Sequence, residues 1–164
     1  MGIFDRSSLN DGVLPREVFG WAMYDFANSG YTTVVLTAVF SAYFVGVVAD
    51  NAPWATFAWT VTLAISALLV MALAPAIGAF GDALGAKKRL LAFATTGCVV
   101  ATAGLALTQS GTVALAVVLI IISNFFYSIG ESLIAAFLPE LSRPNDLGKV
   151  SGWGWSFGYV GGML

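Results

Sequence analysis

Charged residues are so sparse that the apolar stretches between them set the organisation of the chain. Asp25 and Asp50 enclose an uncharged run at 26–49; a second covers 51–81 and a third 90–130. A helix crossing the hydrocarbon core of a bilayer needs about 20 residues, with a range of about 17–25. The first run predicts one span at about 21–48 and the second one span at about 54–80. The third is too long for one crossing and breaks at Thr108-Gln-Ser-Gly-Thr112, which gives spans at 90–107 and 113–138. A fifth starts near Val150, and Leu164 falls only about 15 residues into a helix that needs about 20. The runs are continuous and rich in Ala and Leu, unlike the alternating segments of about ten residues in membrane barrels, so helices are expected. The first run also exceeds the apolar core of about 7–15 residues of a cleaved signal peptide.

The predicted class is an all-α integral membrane protein, with an N-terminal tail at 1–17 and a partial set of spans over 18–164. Composition agrees: of 164 residues 59% are hydrophobic and 10% charged, where soluble domains carry about 25% charge. A mean hydropathy of +0.87 excludes a disordered segment. Seven basic residues against nine acidic ones leave no basic face for nucleic acid. With no His and the single Cys98, neither a Cys/His zinc site nor a disulfide can form, and no nucleophile stands beside a base. No metal, cofactor or enzymatic activity is expected, and Cys98 reads as inert packing.

The charges also set an orientation. Arg6 and Arg16 precede the first span, Lys87, Lys88 and Arg89 separate the second from the third, and Arg143 and Lys149 separate the fourth from the fifth. All seven fall on one side, so the N-terminus is expected in the cytoplasm.

Two acids, Asp25 and Glu131, stand inside apolar segments, where an acid at a helix centre costs about 2.5–3.5 kcal/mol on insertion scales. Asp25, Asn28, Ser29 and Thr32 follow i, i+3, i+4, i+7 and share a helix face. Asn124, Tyr127, Ser128 and Glu131 repeat that spacing in the fourth span. Counted at about 1.5 Å per residue, Asp25 lies about 12 Å inside Glu17 and Glu131 about 13 Å inside Glu140. Similar depths predict that the two acids face one another or line one cavity. The plainer reading takes Ser29, Thr32 and Ser128 as glue between helices and Asp25 as a partner of a helix dipole. No Lys or Arg falls inside a span. Glu131 is therefore expected to be protonated, solvated by a cavity, paired with a substrate ammonium, or paired with a residue outside this chain.

The stretch GAFGDALGAKKR, Gly78 to Arg89, reads as a tight cytoplasmic loop holding a basic cluster. In SGWGWSFGYVGG, Gly154, Gly158 and Gly162 recur every four residues, a face suited to close helix packing. The glycines there have the wrong spacing for a dinucleotide loop, and no strand precedes them. Pro75 predicts a kink, Pro139 the end of the fourth helix, and Trp21, Trp54 and Trp59 anchors at the membrane interfaces.

The loop resembles the signature between the second and third helices of major facilitator superfamily transporters, with Gly78, Asp82, Gly85 and the Lys87, Lys88, Arg89 cluster at the family spacing. Ala83 and Ala86 depart from it, where the general pattern favours arginine. Trp21–Phe44 and Ala135–Gly162 resemble the vacuole amino-acid effluxer-like branch, known from fungal autophagy and from many bacteria. The resemblance implies twelve helices in two six-helix halves, of which this chain would be an N-terminal fragment with four helices and part of a fifth. It further implies alternating access around a central cavity lined by the first and fourth helices, with Asp82 and its loop latching the cytoplasmic side against the other half. The expected partners are the lipid bilayer, a small-molecule substrate and the missing C-terminal part of the same transporter. The expected location is the inner membrane of a bacterial cell. Amino acids are a candidate substrate, and proton coupling rests on Glu131 and Asp25. The alternative is a small multi-helix interaction or assembly protein whose glycine face binds a partner helix. An intramembrane aspartyl-type hydrolase using Asp25 and Glu131 has no other support.

Overall fold

A computed structural model describes residues Phe4–Met163; the first three residues of the expected tail and the terminal Leu164 lie outside the described residues. Among the described residues four helices are long and apolar enough to cross a membrane. We number them α1 (Pro15–Val48), α2 (Ala55–Ala83), α3 (Lys87–Leu107) and α4 (Val113–Ala135). A one-turn helix at Leu138–Leu141 follows α4 and extends that candidate span to Leu141, and a fifth helix, α5, covers Leu147–Met163. Among the described residues no strand forms; Leu9 and Ser142 make an isolated bridge.

The helix starts and stops follow local chemistry. Pro15 opens α1, where its missing N–H is no loss, and the Glu17 carboxylate accepts the Leu14 N–H at 2.9 Å. That places the helix start ahead of the apolar run. Inside α1 the hydrogen bonding switches to the π pattern at Thr32–Ala38 and again at Phe44–Val48. The Thr37 hydroxyl shares its one proton between the carbonyls of Thr32 and Thr33, at 3.0 and 3.1 Å. β-branched crowding over Thr32-Thr33-Val34-Val35 disfavours a tight α turn there. α2 continues unbroken through Pro75. Pro139 does not close the fourth helix as expected: α4 ends at Ala135, and Pro139 sits in the first turn of the short helix that follows. A proline suits that position because first-turn N–H groups have no intrahelical partner.

The residues pack as two compact units. One comprises the chain up to Thr37 and from Ile134 on; the other is Ala38–Leu133. In the first unit α5 lies along α1, and the glycine face is the contact. Gly154 covers the Trp21 ring, Gly158 sits over Asp25 and Ser29, and Gly161 rests on the Phe26 carbonyl. Gly161 was not in the four-residue repeat read from the sequence, yet it makes the closest approach. The expected member Gly162 has room, with Thr33 Oγ1 3.4 Å from where a Cβ would stand. The Thr33 hydroxyl donates to the Gly162 carbonyl at 2.9 Å across this seam. Below it Phe4, Leu9, Val18 and Val150 form a core to which Trp153 and Phe157 add aromatic edges.

In the second unit Ala94, Ile129 and Leu133 form a core with Ile77, Leu90 and Phe126 around it, and Gly97 lies flat on the Phe126 ring. The tryptophans depart from the expected anchor role. Trp59 is buried against Phe40 and Phe44, and Trp21 Nε1 donates to the Ile134 carbonyl at 2.9 Å; Trp54 alone of the three is exposed. A buried indole N–H needs an acceptor, and Trp21 finds one at the frayed end of α4.

The seam makes a direct prediction. Gly161→Ala forces a methyl into the Phe26 carbonyl and should lower stability by about 1–3 kcal/mol, read as a reduced thermal midpoint of the detergent-purified protein. Gly162→Ala should leave the midpoint unchanged.

Candidate functional site

The turn between α2 and α3 differs from the expected loop. Gly78 and Asp82 lie within α2, Lys87, Lys88 and Arg89 form the first turn of α3, and the connection is Leu84-Gly85-Ala86. Gly85 has φ +59°, the Ala86 N–H donates to the Gly81 carbonyl at 3.0 Å and the Gly85 N–H to the Asp82 carbonyl at 3.3 Å. This is a Schellman stop, and the left-handed residue explains glycine at 85. Gly81 is needed for space, since Leu90 Cδ1 would stand 3.0 Å from its Cβ, whereas nothing crowds Gly78. Asp82 at a helix C-terminus and Lys87 at a helix N-terminus each oppose the local dipole. Their 2.8 Å ion pair offsets both.

On α1, Asp25, Asn28, Ser29 and Thr32 are half-buried, with Thr32 at the point where the π segment begins. Asp25 stands nearly three turns beyond Pro15, too far to act on the helix N-terminus. The Ser29 hydroxyl donates to the Asp25 carbonyl oxygen at 2.9 Å, and the Asp25 carboxylate lies where a side chain on Gly158 would otherwise stand. On α4, Asn124, Tyr127, Ser128 and Glu131 are half-buried on one face. Glu131 falls in the last turns of α4, and the helix stops between it and Glu140. The depth estimate of nine helical residues therefore does not hold for Glu131, while Glu17 to Asp25 is continuous α-helix. Asp25 belongs to the first unit and Glu131 to the second.

The second unit adds a residue that the sequence reading passed over. Ser66, fully buried on α2, accepts a hydrogen bond from Asn124 Nδ2 at 3.0 Å and donates to the Ile121 carbonyl at 3.3 Å. Thr62 and Ser66, spaced i, i+4 in a largely apolar helix, were the available signal.

The N-terminal segment is docked on the connection that leads into α5. Asn10 Nδ2 donates to the carbonyls of Pro139 and Glu140, both at 2.9 Å, and Arg143 Nε to the Leu9 carbonyl at 2.9 Å. The Arg143 N–H donates to the Ser8 carbonyl at 3.1 Å, and the Arg143 guanidinium pairs with Asp11 at 2.9 Å. Lys149 Nζ pairs with Asp5 at 2.8 Å and donates to Ser8 Oγ at 2.9 Å.

These features define an integral membrane protein that crosses the bilayer several times, with the polar groups of its spans gathered on helix faces. The chain matches the Major Facilitator Superfamily over residues 6–164 and belongs to that superfamily. Its helices form the N-terminal part of the twelve-helix major facilitator fold. It is 31% identical over 147 residues to an uncharacterized MFS-type transporter, YxiO, of Bacillus subtilis (strain 168). That match covers 88% of this chain and 34% of the relative, so the chain spans about a third of the relative's length. No solved structure gives a significant match. The membership is in a family of transporters rather than of enzymes.

A pH dependence follows from the docked segment. The Lys149 ammonium, then the hydroxyl and N–H of Ser7, hold the Asp5 carboxyl well below the usual carboxylate range. A depressed folded-state value contributes stability above the unfolded value of about 4 and loses it as pH falls through the lower folded one. Hydrogen exchange at the Arg143 amide, corrected for intrinsic rates, should stay protected from neutral pH down to about 4 and lose protection below that. Asp5→Asn should weaken protection at neutral pH and flatten this dependence.

Proposed function

We propose that the chain is part of a secondary transporter that moves a small solute by alternating access. The observation that carries this reading is the polar stripe Asn124, Tyr127, Ser128 and Glu131 on a largely apolar helix, in a chain of the major facilitator superfamily. Ionisable groups inside membrane helices mark solute or proton pathways, because their insertion is expensive and serves packing poorly. Asp25, Asn28 and Thr32 form the corresponding stripe on α1.

Coupling to protons is part of the proposal, with Glu131 and Asp25 as carboxyls that exchange a proton as their access alternates. The turn at Gly85 with Asp82, Lys87, Lys88 and Arg89 is proposed to latch the cytoplasmic side against the rest of the transporter, which is the chain's partner together with lipid and solute. The one-sided placement of the seven basic residues supports a cytoplasmic N-terminus. The pairs Arg143–Asp11 and Lys149–Asp5 agree with it, since they hold the N-terminal segment and the connection before α5 at one end of the first unit. Similarity to a Bacillus subtilis protein supports a bacterial cell membrane as the location. The stretches Trp21–Phe44 and Ala135–Gly162 support the vacuole amino-acid effluxer-like branch, and with it amino acids as solutes.

The seating of Gly154, Gly158 and Gly161 on α1 of the same chain counts against the alternative of an assembly protein, because that face is already occupied.

The test is transport by the whole protein in proteoliposomes under an imposed pH gradient, with a mixture of labelled amino acids as probe. Glu131→Gln should reduce gradient-driven flux by about tenfold or more, the scale expected of a lost proton-transfer group. Undiminished flux that still follows the gradient would remove Glu131 from the coupling path.

A further inference from the structure

We infer that Ser66 fixes the amide of Asn124 so that this face of α4 offers an acceptor oxygen to a solute with N–H donors, of which a primary ammonium is the best fit. The inference deepens the transporter reading and rests on it.

The argument is an accounting of protons. A serine hydroxyl has one proton to give and lone pairs to receive. Ser66 is fully buried, and its proton goes to the Ile121 carbonyl at 3.3 Å. Its oxygen is then an acceptor only, and it receives the Asn124 Nδ2–H at 3.0 Å. Turning the amide round would set Asn124 Oδ1 against Ser66 Oγ, and bridging them would take the Ser66 proton away from the Ile121 carbonyl, so one hydrogen bond is lost either way. Two acceptors in contact inside a low-dielectric bundle lose a hydrogen bond and repel. Thr62, one turn earlier on α2, offers no substitute donor, because its hydroxyl is given to the Ala58 carbonyl at 2.7 Å.

The nitrogen of Asn124 therefore faces α2 and its oxygen points away. Among the described residues no hydrogen bond reaches Asn124 Oδ1, and no buried side-chain oxygen or nitrogen is left without a partner, so this oxygen is accessible. It stands on the face that also carries Tyr127, Ser128 and Glu131. A carbonyl oxygen and a carboxyl on one face, about 10 Å apart along the axis, suit a head group that donates hydrogen bonds and carries positive charge. An anionic head group would be repelled by the Asn124 carbonyl oxygen and by Glu131 in its charged form. Ser66 is on this account a positioning residue: it does not touch the solute but sets which atom of Asn124 does.

The experiment compares two probe mixtures in proteoliposomes of the whole protein: the common amino acids, and the corresponding 2-oxo acids, which lack the amine. Wild-type protein should favour the amino acids by about tenfold or more, the scale of a hydrogen bond to a charged group. Ser66→Ala frees the amide to turn and should cut that preference severalfold, while Ser66→Thr, which keeps the hydroxyl, should retain it. Asn124→Leu removes the acceptor and should lose the preference, which keeps the idea testable if Ser66→Ala does not fold. A Ser66→Ala or Asn124→Leu protein that slows both mixtures equally, with its preference intact, would reduce the pair to helix glue and overturn the inference alone. Preference of the wild-type protein for the 2-oxo acids would overturn it too, leaving the transporter reading intact. Movement of neither mixture by the wild-type protein would overturn both.

Discussion

The rest of this structure depends on one constraint: inside a bilayer there is no water to satisfy a backbone N–H or C=O, so each must find a partner within the chain. Long helices are the direct consequence, and the irregularities follow from it as well. Where α1 widens into π turns, Thr37 supplies a hydroxyl to the carbonyls of Thr32 and Thr33. Where α4 ends, Ile134 gives its carbonyl to the Trp21 indole. Where α2 stops, Gly85 takes the left-handed conformation that lets Ala86 and Gly85 return to the carbonyls of Gly81 and Asp82. At each of these three departures from the α-helix a named group takes up a bond.

The same constraint explains how the helices meet. Lipid is as apolar as leucine, so burying leucine against leucine gains little, and close backbone approach has to supply the attraction. Glycine makes that approach possible on α5, where Gly161 lets the Phe26 carbonyl come into contact and Gly154 accepts the face of Trp21. α2 takes the other course: Phe57, Leu68, Met71 and Phe80 stand exposed, an apolar surface that suits lipid.

Much of this was legible in the sequence because charge in a membrane is too expensive to be placed casually. Asp50 and the cluster Lys87-Lys88-Arg89 delimit crossings, Asp25 falls inside the first helix, and the four-residue glycine rhythm marks the packing face of α5. What composition could not reveal is where hydrogen bonding overrides it. The stretch from Gly78 to Arg89 reads as a loop because glycine and charge favour one, but the backbone stays helical through Ala83 and turns in three residues. Pro139 reads as a stop, yet its φ also suits a start, and the α4 end at Ala135 selects the second use. The π segments of α1 leave no mark in apolar periodicity. Ser66 was hidden for a different reason: in an apolar helix one serine looks like neutral filler until its partner on another helix is known.

That last point separates polar residues with spare hydrogen-bonding capacity from those without. In these helices most hydroxyls spend their proton on a carbonyl one turn back: Ser29 on Asp25, Thr62 on Ala58, Thr96 on Ala92, Ser132 on Ser128, Ser156 on Gly152. Such a group is satisfied within its own helix and has no proton left for a solute, so its presence in a polar stripe carries little chemical meaning. Carboxyls and amides differ because they have more hydrogen-bonding capacity than a neighbouring turn can absorb. Asn124 keeps that surplus at its Oδ1, while Ser29 has given its proton to the Asp25 carbonyl. The stripes are therefore shorter, as chemistry, than their spacing suggests, and what remains is dominated by acceptor oxygens.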